Sequence, residues 1–173
     1  MVRRPYLDIP PELIATKPGE VISADVLNPS ATSAGGAKFL LVIVDQFTGF
    51  IEVYAQKHIH PETGETSLPH FLQVCKNSFG VAVGTLRVDL GPEFVTKALA
   101  KVCKENGIRQ KFSTTSTSMQ NGQVERANRS IGEAMKAMLL NSGLHTQFRA
   151  KAAKMFVYTY NLLPRKKLGG RSP

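Results

Sequence analysis

A mixed α/β domain is the fold class that the sequence predicts, and three observations predict it. Short apolar runs rich in β-branched residues alternate with longer segments of helical periodicity, in the order three strands, helix, strand, helix, strand and two helices. The 173 residues are enough for one domain with a substantial core, and not comfortably for two. A hydrophobic content of 42% and a charged content of 20% are those of an ordinary globular protein.

The first three strands are predicted at residues 21–27, 39–44 and 50–54. Asp25 lies in the middle of the first strand, where a buried carboxylate is destabilising unless it is paired or holds a cation. Residues 46–49 form the hairpin turn between the second and third strands. We interpret Asp45, at the end of the second strand, as a turn residue.

The middle of the chain predicts two helices, at residues 67–79 and 93–106, and two short strands, at residues 86–89 and 108–112. Asp89 closes the first of these strands. Six consecutive hydroxyl residues follow the second strand, at residues 113–118. They are either a flexible loop or a loop that touches phosphates.

A long helix predicted at residues 120–140 has two different faces, since positions three and four apart share a face. Its core stripe is apolar and consists of Val124, Ala127, Ile131, Ala134, Met135 and Met138. Glu125 lies on another face, among Asn121, Gly122, Asn128, Arg129, Gly132 and Lys136. A last helix, at residues 144–163, ends before Pro164.

Charge is unevenly distributed along the chain. Residues 1–100 hold 8 Lys and Arg against 10 Asp and Glu, whereas residues 101–173 hold 14 against 3. A strongly basic half indicates a polyanionic partner, most simply nucleic acid, and the alternative is a charge that serves solubility.

Several function classes are disfavoured by what the sequence contains. The longest apolar run, residues 39–44, is too short to span a bilayer, and the first residues have no secretory pattern. Two cysteines, Cys75 and Cys103, are too few for a disulfide framework and indicate a reducing compartment. The four histidines form no zinc-binding spacing with them.

Three acids stand out by their positions: Asp25 inside a strand, Asp89 at the end of a strand, and Glu125 on a helix. Sixty-three residues separate the first pair and 35 residues separate the second. This spacing resembles the Asp, Asp-35-Glu triad of retroviral and retrotransposon integrases, which are polynucleotidyl transferases. The resemblance covers roughly residues 18–173.

More than the triad carries the resemblance. Similar segments are residues 19–20, 41–48, 86–94, 107–108 and 120–129, and the segments around 152, 157–158 and 161–164 look most like the copia branch of retrotransposons. The chain departs from the family pattern at Leu90, where a polar residue is common, and also at Ser118 and Arg149.

The resemblance implies an RNase H-like fold, a five-stranded mixed sheet flanked by helices, in which Asp25, Asp89 and Glu125 are catalytic and converge to bind metal. Like charges at close range resist joint ionisation, and a divalent cation removes that penalty. Carboxylate oxygens suit Mg²⁺ or Mn²⁺, and the family implies two ions. The implied reactions are 3′-end processing and strand transfer of element DNA into target DNA.

The implied DNA contacts lie on or just before the long helix. They are Gln120, Asn121, Arg126, Asn128, Arg129 and Lys136. The cations are placed to meet phosphates and the amides to hydrogen-bond backbone or base. Arg126 has an alternative partner in Glu133, two helical turns further on.

We expect residues 1–17 to be a linker or upstream fragment, residues 18–163 the catalytic core, and residues 164–173 the basic tail of a truncated chain. The resemblance implies as partners DNA, a second copy in a dimer or higher multimer, and other domains of a parent polyprotein. It implies no membrane, and a location in the nucleus and in virus-like particles.

Two other functions stay open. The first is a decayed or domesticated integrase relic that binds DNA without catalysis, which Leu90 beside Asp89 keeps possible. The second is an RNase H-like nuclease, such as a ribonuclease H or a resolvase. Those enzymes typically use four acids, and the 35-residue spacing disfavours them.

Overall fold

Five strands form one mixed sheet in the computed structural model, which describes residues 14–28, 31–58, 63–113 and 122–173. The strands are β1 (Val21–Leu27), β2 (Phe39–Asp45), β3 (Ile51–Gln56), β4 (Thr85–Val88) and β5 (Arg109–Phe112). Their order across the sheet is β3-β2-β1-β4-β5. The strands β1, β2 and β3 pair antiparallel, whereas β4 pairs in parallel with both β1 and β5. The predicted mixed α/β fold with a five-stranded sheet is confirmed.

Four helices cover the two faces of this sheet. They are α1 (Thr63–Phe79), α2 (Lys97–Glu105), α3 (Gly122–Ser142) and α4 (Arg149–Leu162). Residues of α1 and α2 pack on one face around Phe71 and Leu99, and residues of α3 and α4 pack on the other around Ile131 and Ala153. In the part of the chain that the structure describes, no helix is long and apolar enough to cross a membrane.

The alternation of β1 decides which side chains reach each face, because successive strand residues point to opposite sides. Ile22 and Ala24 belong to the core beneath α1 and α2. Ser23 and Asp25 therefore point toward α3, and Ser23 is fully buried there. The half-buried carboxylate of Asp25 thus lies between the sheet and the long helix.

The helix predicted at residues 93–106 begins later, at Lys97. Its N-cap is Thr96, whose Oγ1 accepts a hydrogen bond from the backbone N–H of Leu99 at 3.0 Å. The residues before it form a turn closed by bonds from the N–H groups of Phe94 and Val95 to the Gly91 carbonyl, at 2.9 and 3.2 Å. Glu93 therefore lies in this turn and not in the helix.

The core stripe of α3 is shifted from the prediction at its C-terminal end. Val124, Ala127, Ile131 and Met135 are buried as expected, but Leu139 is buried as well and Met138 is 36% exposed. A stripe that continues at steps of four residues from Ile131 reaches position 139, and the neighbouring position 138 rotates away from the sheet.

The last predicted helix, residues 144–163, is also shorter than expected. A 3₁₀ turn at Thr146–Phe148 precedes α4, with the Nδ1 of His145 accepting from the Gln147 N–H at 3.2 Å. The predicted basic tail contains a second 3₁₀ turn, Lys166–Leu168, closed by a bridge between Arg165 and Arg171. The boundaries of the three predicted segments stay predictions, and residues 1–13 lie outside the described residues.

Asp45 is confirmed as a turn residue. Its Oδ1 accepts from the Gly19 N–H at 2.9 Å, and its Oδ2 accepts from the Thr48 N–H and hydroxyl at 2.8 and 2.7 Å. The hairpin itself closes through the Gly49 N–H, which donates to the Asp45 carbonyl at 2.9 Å. Gly49 has a φ of +76°, a conformation that glycine adopts without strain.

Candidate active site

Asp25 is the most constrained of the three predicted acids. Its Oδ1 accepts from the backbone N–H of Val26 at 2.8 Å, and its Oδ2 accepts from the side-chain amide of Asn128 at 2.7 Å. Asn128 lies on α3 and is 9% exposed. This bond is therefore a direct link between the central strand of the sheet and the long helix.

Asp89 follows β4 directly. The parallel pairing of β1 and β4 runs from Val21–Thr85 to Ser23–Arg87, so the same register continued by two residues places Asp25 level with Asp89. The Oδ1 of Asp89 accepts from the Gly91 N–H at 3.0 Å, which fixes this carboxylate over the turn that follows the strand.

A fourth acid, Glu93, lies in the same turn. A Cβ atom added to Gly91 would come within 2.7 Å of the Glu93 Oε2 and within 2.9 Å of the Asp89 Oδ1. Both carboxylates therefore lie close to the position that a Gly91 side chain would occupy, and the absence of a side chain there gives them room. The sequence contained the signal, since Asp89 and Glu93 flank a glycine and a proline, but we assigned Glu93 no role.

Glu125 projects from the first turn of α3 and its side chain is exposed. It precedes Asn128 by three residues, so the two side chains lie about one turn apart on neighbouring parts of the helix surface. Because Asn128 is bonded to Asp25, the turn of α3 that carries Glu125 is held near the strand that carries Asp25.

The other three acids all influence the electrostatics of Asp25. Burial raises the pKa of Asp25, the bond from the Val26 N–H lowers it, and the charges of Asp89, Glu125 and Glu93 each raise it further. Asp25 is thus a carboxylate whose ionised form is disfavoured by its surroundings. A cation bound beside it would relieve that penalty.

The side chains nevertheless do not form a compact ligand set. Within residues 14–28, 31–58, 63–113 and 122–173, no three His, Cys, Asp or Glu side chains are grouped closely enough to hold one metal ion. The donor chemistry of Asp25, Asp89 and Glu125 fits a hard divalent cation, since all three offer carboxylate oxygens. The metal assignment therefore stays a prediction that rests on donor type and electrostatics.

A buried polar network lies beside the acids and was not predicted from the sequence. Arg87 is 3% exposed in β4, and its Nη1 donates to the Gln46 Oε1 at 3.1 Å. The Nε2 of Gln46 in turn donates to the Ser23 hydroxyl at 2.6 Å. The available signal was a single arginine within the apolar strand residues 86–88, which cannot be buried without partners.

The predicted DNA-contacting residues fall into three groups. Arg126, Arg129 and Lys136 have exposed side chains on α3. Asn128 is buried, and its side-chain amide donates a hydrogen bond to Asp25. Its contact with DNA stays a prediction. Two further residues, Gln120 and Asn121, lie outside the described residues.

The alternative pairing of Arg126 with Glu133 is not formed. Among the described residues, the one ion pair within 4.0 Å joins Lys101 and Glu105 at 3.8 Å. The Nη1 of Arg126 instead lies 3.6 Å from the position of a Cβ added to Gly122, at the start of α3. The two cysteines, Cys75 and Cys103, are free and buried.

A five-stranded mixed sheet in this strand order, with helices on both faces and acids on and beside its two central parallel strands, defines an RNase H-like protein. Comparison with a solved structure agrees: the chain matches a chain of a simian T-cell lymphotropic virus intasome, determined in complex with a regulatory subunit of PP2A, with a TM-score of 0.66 at 20% identity. The match covers 83% of this chain and 49% of that one. At this identity it shows the fold alone.

Sequence comparison identifies the family. A family model described as an integrase core domain matches residues 15–118, a span that includes Asp25 and Asp89. This chain belongs to the integrase core domain family.

Two relatives show which kinds of protein this chain resembles in sequence. The chain is 32% identical over 126 residues to a Gag-Pol polyprotein of avian reticuloendotheliosis virus, a match that covers 73% of this chain and 10% of the relative. It is 30% identical over 159 residues to a retrovirus-related Pol polyprotein from transposon RE1 of Arabidopsis thaliana, which covers 92% of this chain and 11% of that polyprotein. The chain thus spans about a tenth of the length of these relatives.

Proposed function

We propose that this chain is an integrase catalytic core that performs metal-dependent 3′-end processing and strand transfer of element DNA into target DNA. The observation that carries the proposal is the placement of Asp25, which is bonded to Asn128 and close enough to Asp89, Glu125 and Glu93 for each to raise its pKa. The reaction class is inferred from the family, and the residues that would carry it are inferred from this group of acids and Asn128.

The residues would divide the work as follows. Asp25, Asp89 and Glu125 hold Mg²⁺ or Mn²⁺, most simply two ions. A bound divalent cation supplies Lewis-acid polarisation of a phosphodiester and offsets the repulsion among the carboxylates. Asn128 positions Asp25 through its amide, and the Arg87 network beneath holds the strands that carry the first two acids.

The DNA partner follows from the charge of the C-terminal half and from the exposed cations of α3. Each phosphate that Arg126, Arg129 or Lys136 neutralises releases counterions, so binding weakens steeply with salt. We further propose that the chain works as part of a longer polyprotein product, in a multimer on DNA, in the nucleus and in virus-like particles. The Pol relatives support the origin in a polyprotein, and the intasome match supports the multimer on DNA.

The test is a strand-transfer and disintegration assay on labelled DNA with Mg²⁺ or Mn²⁺, comparing wild type with Glu125→Gln. The matched control is Glu133→Gln, which removes another exposed carboxylate about two turns further along the same helix. We expect joining to disappear in Glu125→Gln and to persist in the control. Equal joining by all three proteins would refute the role of Glu125.

One observation favours a second candidate function, cleavage of RNA–DNA hybrids. RNase H-like nucleases typically use four acids, and Glu93 provides a fourth carboxylate beside Gly91. A hybrid substrate in the same assay separates the two activities. Cleavage of the hybrid with no joining of DNA ends would favour the nuclease, and DNA binding without any chemistry would favour a relic, in which the exposed Leu90 follows Asp89.

A further inference from the structure

A cavity of about 360 Å³ lies beside the first turns of α3, and none of the proposed catalytic acids lines it. Three parts of the chain form its walls: the hairpin after β2, the start of α3, and the C-terminal end of α4 with the segment that follows it. The polar and aromatic lining residues are Phe47, Thr48, Gln123, Arg126, Ser130, Tyr160, Arg165 and Lys167. Three of these are cations, and the described lining residues include no acid.

Aromatic rings hold two of the cations in place. The guanidinium of Arg165 lies over the Tyr160 ring at 3.7 Å from its centroid, and its Nη2 donates to the Tyr160 carbonyl at 3.3 Å. The ammonium of Lys167 lies 5.0 Å from the Phe47 ring centroid and donates to a backbone carbonyl at 3.4 Å. Such contacts fix the positions of the charges before any ligand arrives.

Two residues that line the cavity each carry one polar atom without a hydrogen-bond partner. The Nε of Arg165 and the Oε1 of Gln123 are buried without a partner in the part of the chain that the structure describes. The Nε2 of Gln123 donates to the Gln46 carbonyl at 3.2 Å, which fixes its amide with the Oε1 free. Both atoms are buried behind the cavity wall, so a ligand in the cavity reaches them only if the two side chains move toward it.

We propose that this cavity binds one phosphate group of a nucleic acid strand. Arg165, Lys167 and Arg126 supply the positive charge, and guanidinium groups suit phosphate oxygens in particular.

The volume and location agree with this ligand class. The cavity is about ten times the roughly 30 Å³ that one water occupies in the liquid, which leaves room for a phosphate with part of its sugar. Arg126 follows Glu125 directly on α3, so a strand held here passes beside the proposed active site. The assignment of that strand as DNA rests on the proposed function.

The test compares Lys167→Gln with Lys166→Gln, which removes the same charge from the adjacent exposed residue outside the cavity. Binding of a labelled DNA duplex is measured over a range of salt concentrations in chelator, so that no catalysis is needed. We expect Lys167→Gln to reduce the slope of log K against log salt by about 0.9, the value for one lost phosphate contact, and Lys166→Gln to reduce it by less than half as much.

A second measurement locates the site directly. Pyrophosphate is titrated into the wild type while the NMR signals of the Arg165 Nε–H and the Gln123 side-chain amide are followed. We expect saturable shifts of the Arg165 signal with pyrophosphate, and of both signals with a short oligonucleotide. A second variant, Ser130→Glu, places a carboxylate on the exposed cavity wall and is expected to weaken both shifts.

Three outcomes would overturn the proposal. Equal slopes for the two lysine variants would show that the cavity takes no phosphate of the duplex. Pyrophosphate binding without any effect of Lys167→Gln on DNA would identify a site for free phosphate instead of a strand. Unshifted signals with both probes would remove the site, and these results leave the proposed function standing as long as the wild type still binds and joins DNA.

Discussion

Replacing Asn128 by Ala is expected to lower the free energy of unfolding by an amount that grows with pH. The amide of Asn128 donates to the Asp25 Oδ2 at 2.7 Å, and both groups are shielded between β1 and α3. A hydrogen bond to a charged group contributes about 1.5–3 kcal/mol, and one between neutral groups about 0.5–1.5 kcal/mol. The loss should therefore approach the larger figure where Asp25 is ionised and the smaller one where it is protonated.

The sign follows from linkage. Burial, together with Asp89, Glu125 and Glu93, already raises the pKa of Asp25 above its value in the unfolded chain, so this group loses stabilising free energy as pH rises through its folded pKa. The Asn128 amide favours the ionised form, and its removal raises the pKa of Asp25 further. The unfolded state is common to both proteins, so the variant loses stability relative to the wild type as pH rises through the raised folded pKa of Asp25.

The assay is urea unfolding of the wild type and the variant in chelator between pH 4 and pH 9. Asn161→Ala is the matched control, because the Asn161 amide exchanges two neutral bonds with the backbone of Ile51, at 3.0 and 2.7 Å. The Asn161→Ala variant should lose the same amount of unfolding free energy at every pH. If the Asn128 variant shows an equally flat profile, its amide does not stabilise the Asp25 carboxylate and the reasoning fails.

Three further changes test other parts of the structure. Asp25→Asn should raise the melting temperature in chelator at a pH where Asp25 is ionised, because a disfavoured buried charge is removed; a lower melting temperature would contradict this. The variant should also lose the stabilisation by Mg²⁺, which for the wild type amounts to about 1.4 kcal/mol at a Mg²⁺ concentration ten times the dissociation constant. Gly19→Ala should lower the free energy of unfolding in urea by about 2–4 kcal/mol, since Gly19 has a φ of +74° and an added Cβ would lie 2.7 Å from a backbone carbonyl oxygen. The control Gly107→Ala has a similar φ of +67° but open space around the added Cβ, so it should lower the free energy of unfolding by only about 1 kcal/mol. Equal losses would show that packing around Gly19 is not tight. Gly91→Ala should slow DNA joining with little change in unfolding, because the new Cβ would lie 2.9 Å from the Asp89 Oδ1; unchanged joining rates would show that this carboxylate tolerates displacement.

The strands were predictable because their signal is local. Apolar runs of β-branched residues predicted β1, β2 and β3, and the hairpin after β2 followed from its turn residues and from Asp45. The fifth strand, Arg109–Phe112, was also predicted but carries no such run. The position of Asp25 within an apolar strand also predicted that its carboxylate would be buried and would need a partner. That partner proved to be the amide of Asn128, 103 residues further along the chain.

Helix boundaries and the surroundings of the acids were less predictable. The pattern of residues 93–106 reads as one helix, but the cap formed by Thr96 starts it at Lys97 and leaves Glu93 in a turn beside Asp89. Whether a polar residue at the margin of a helix face points to the sheet or to solvent depends on how the helix is rotated against its neighbours. Asn128 and Met138 both lie at such margins, and both were assigned to the wrong side.

The tertiary contacts give the 35-residue spacing between Asp89 and Glu125 a physical basis. After Asp89 the chain forms α2 and then β5, which pairs with β4. The next helix, α3, packs on the face of the sheet opposite to α1 and α2, and its first turns lie beside β1. The hydrogen bond from the Asn128 amide to Asp25 fixes the position of α3 along β1. It thereby fixes the position of Glu125 as well, because Glu125 lies three residues earlier on the same helix. A change in helix register at Asn128 would move Glu125 and the cavity residues Gln123 and Arg126 together. The bond from Asn128 to Asp25 therefore couples the position of the proposed metal ligands to that of the proposed phosphate site.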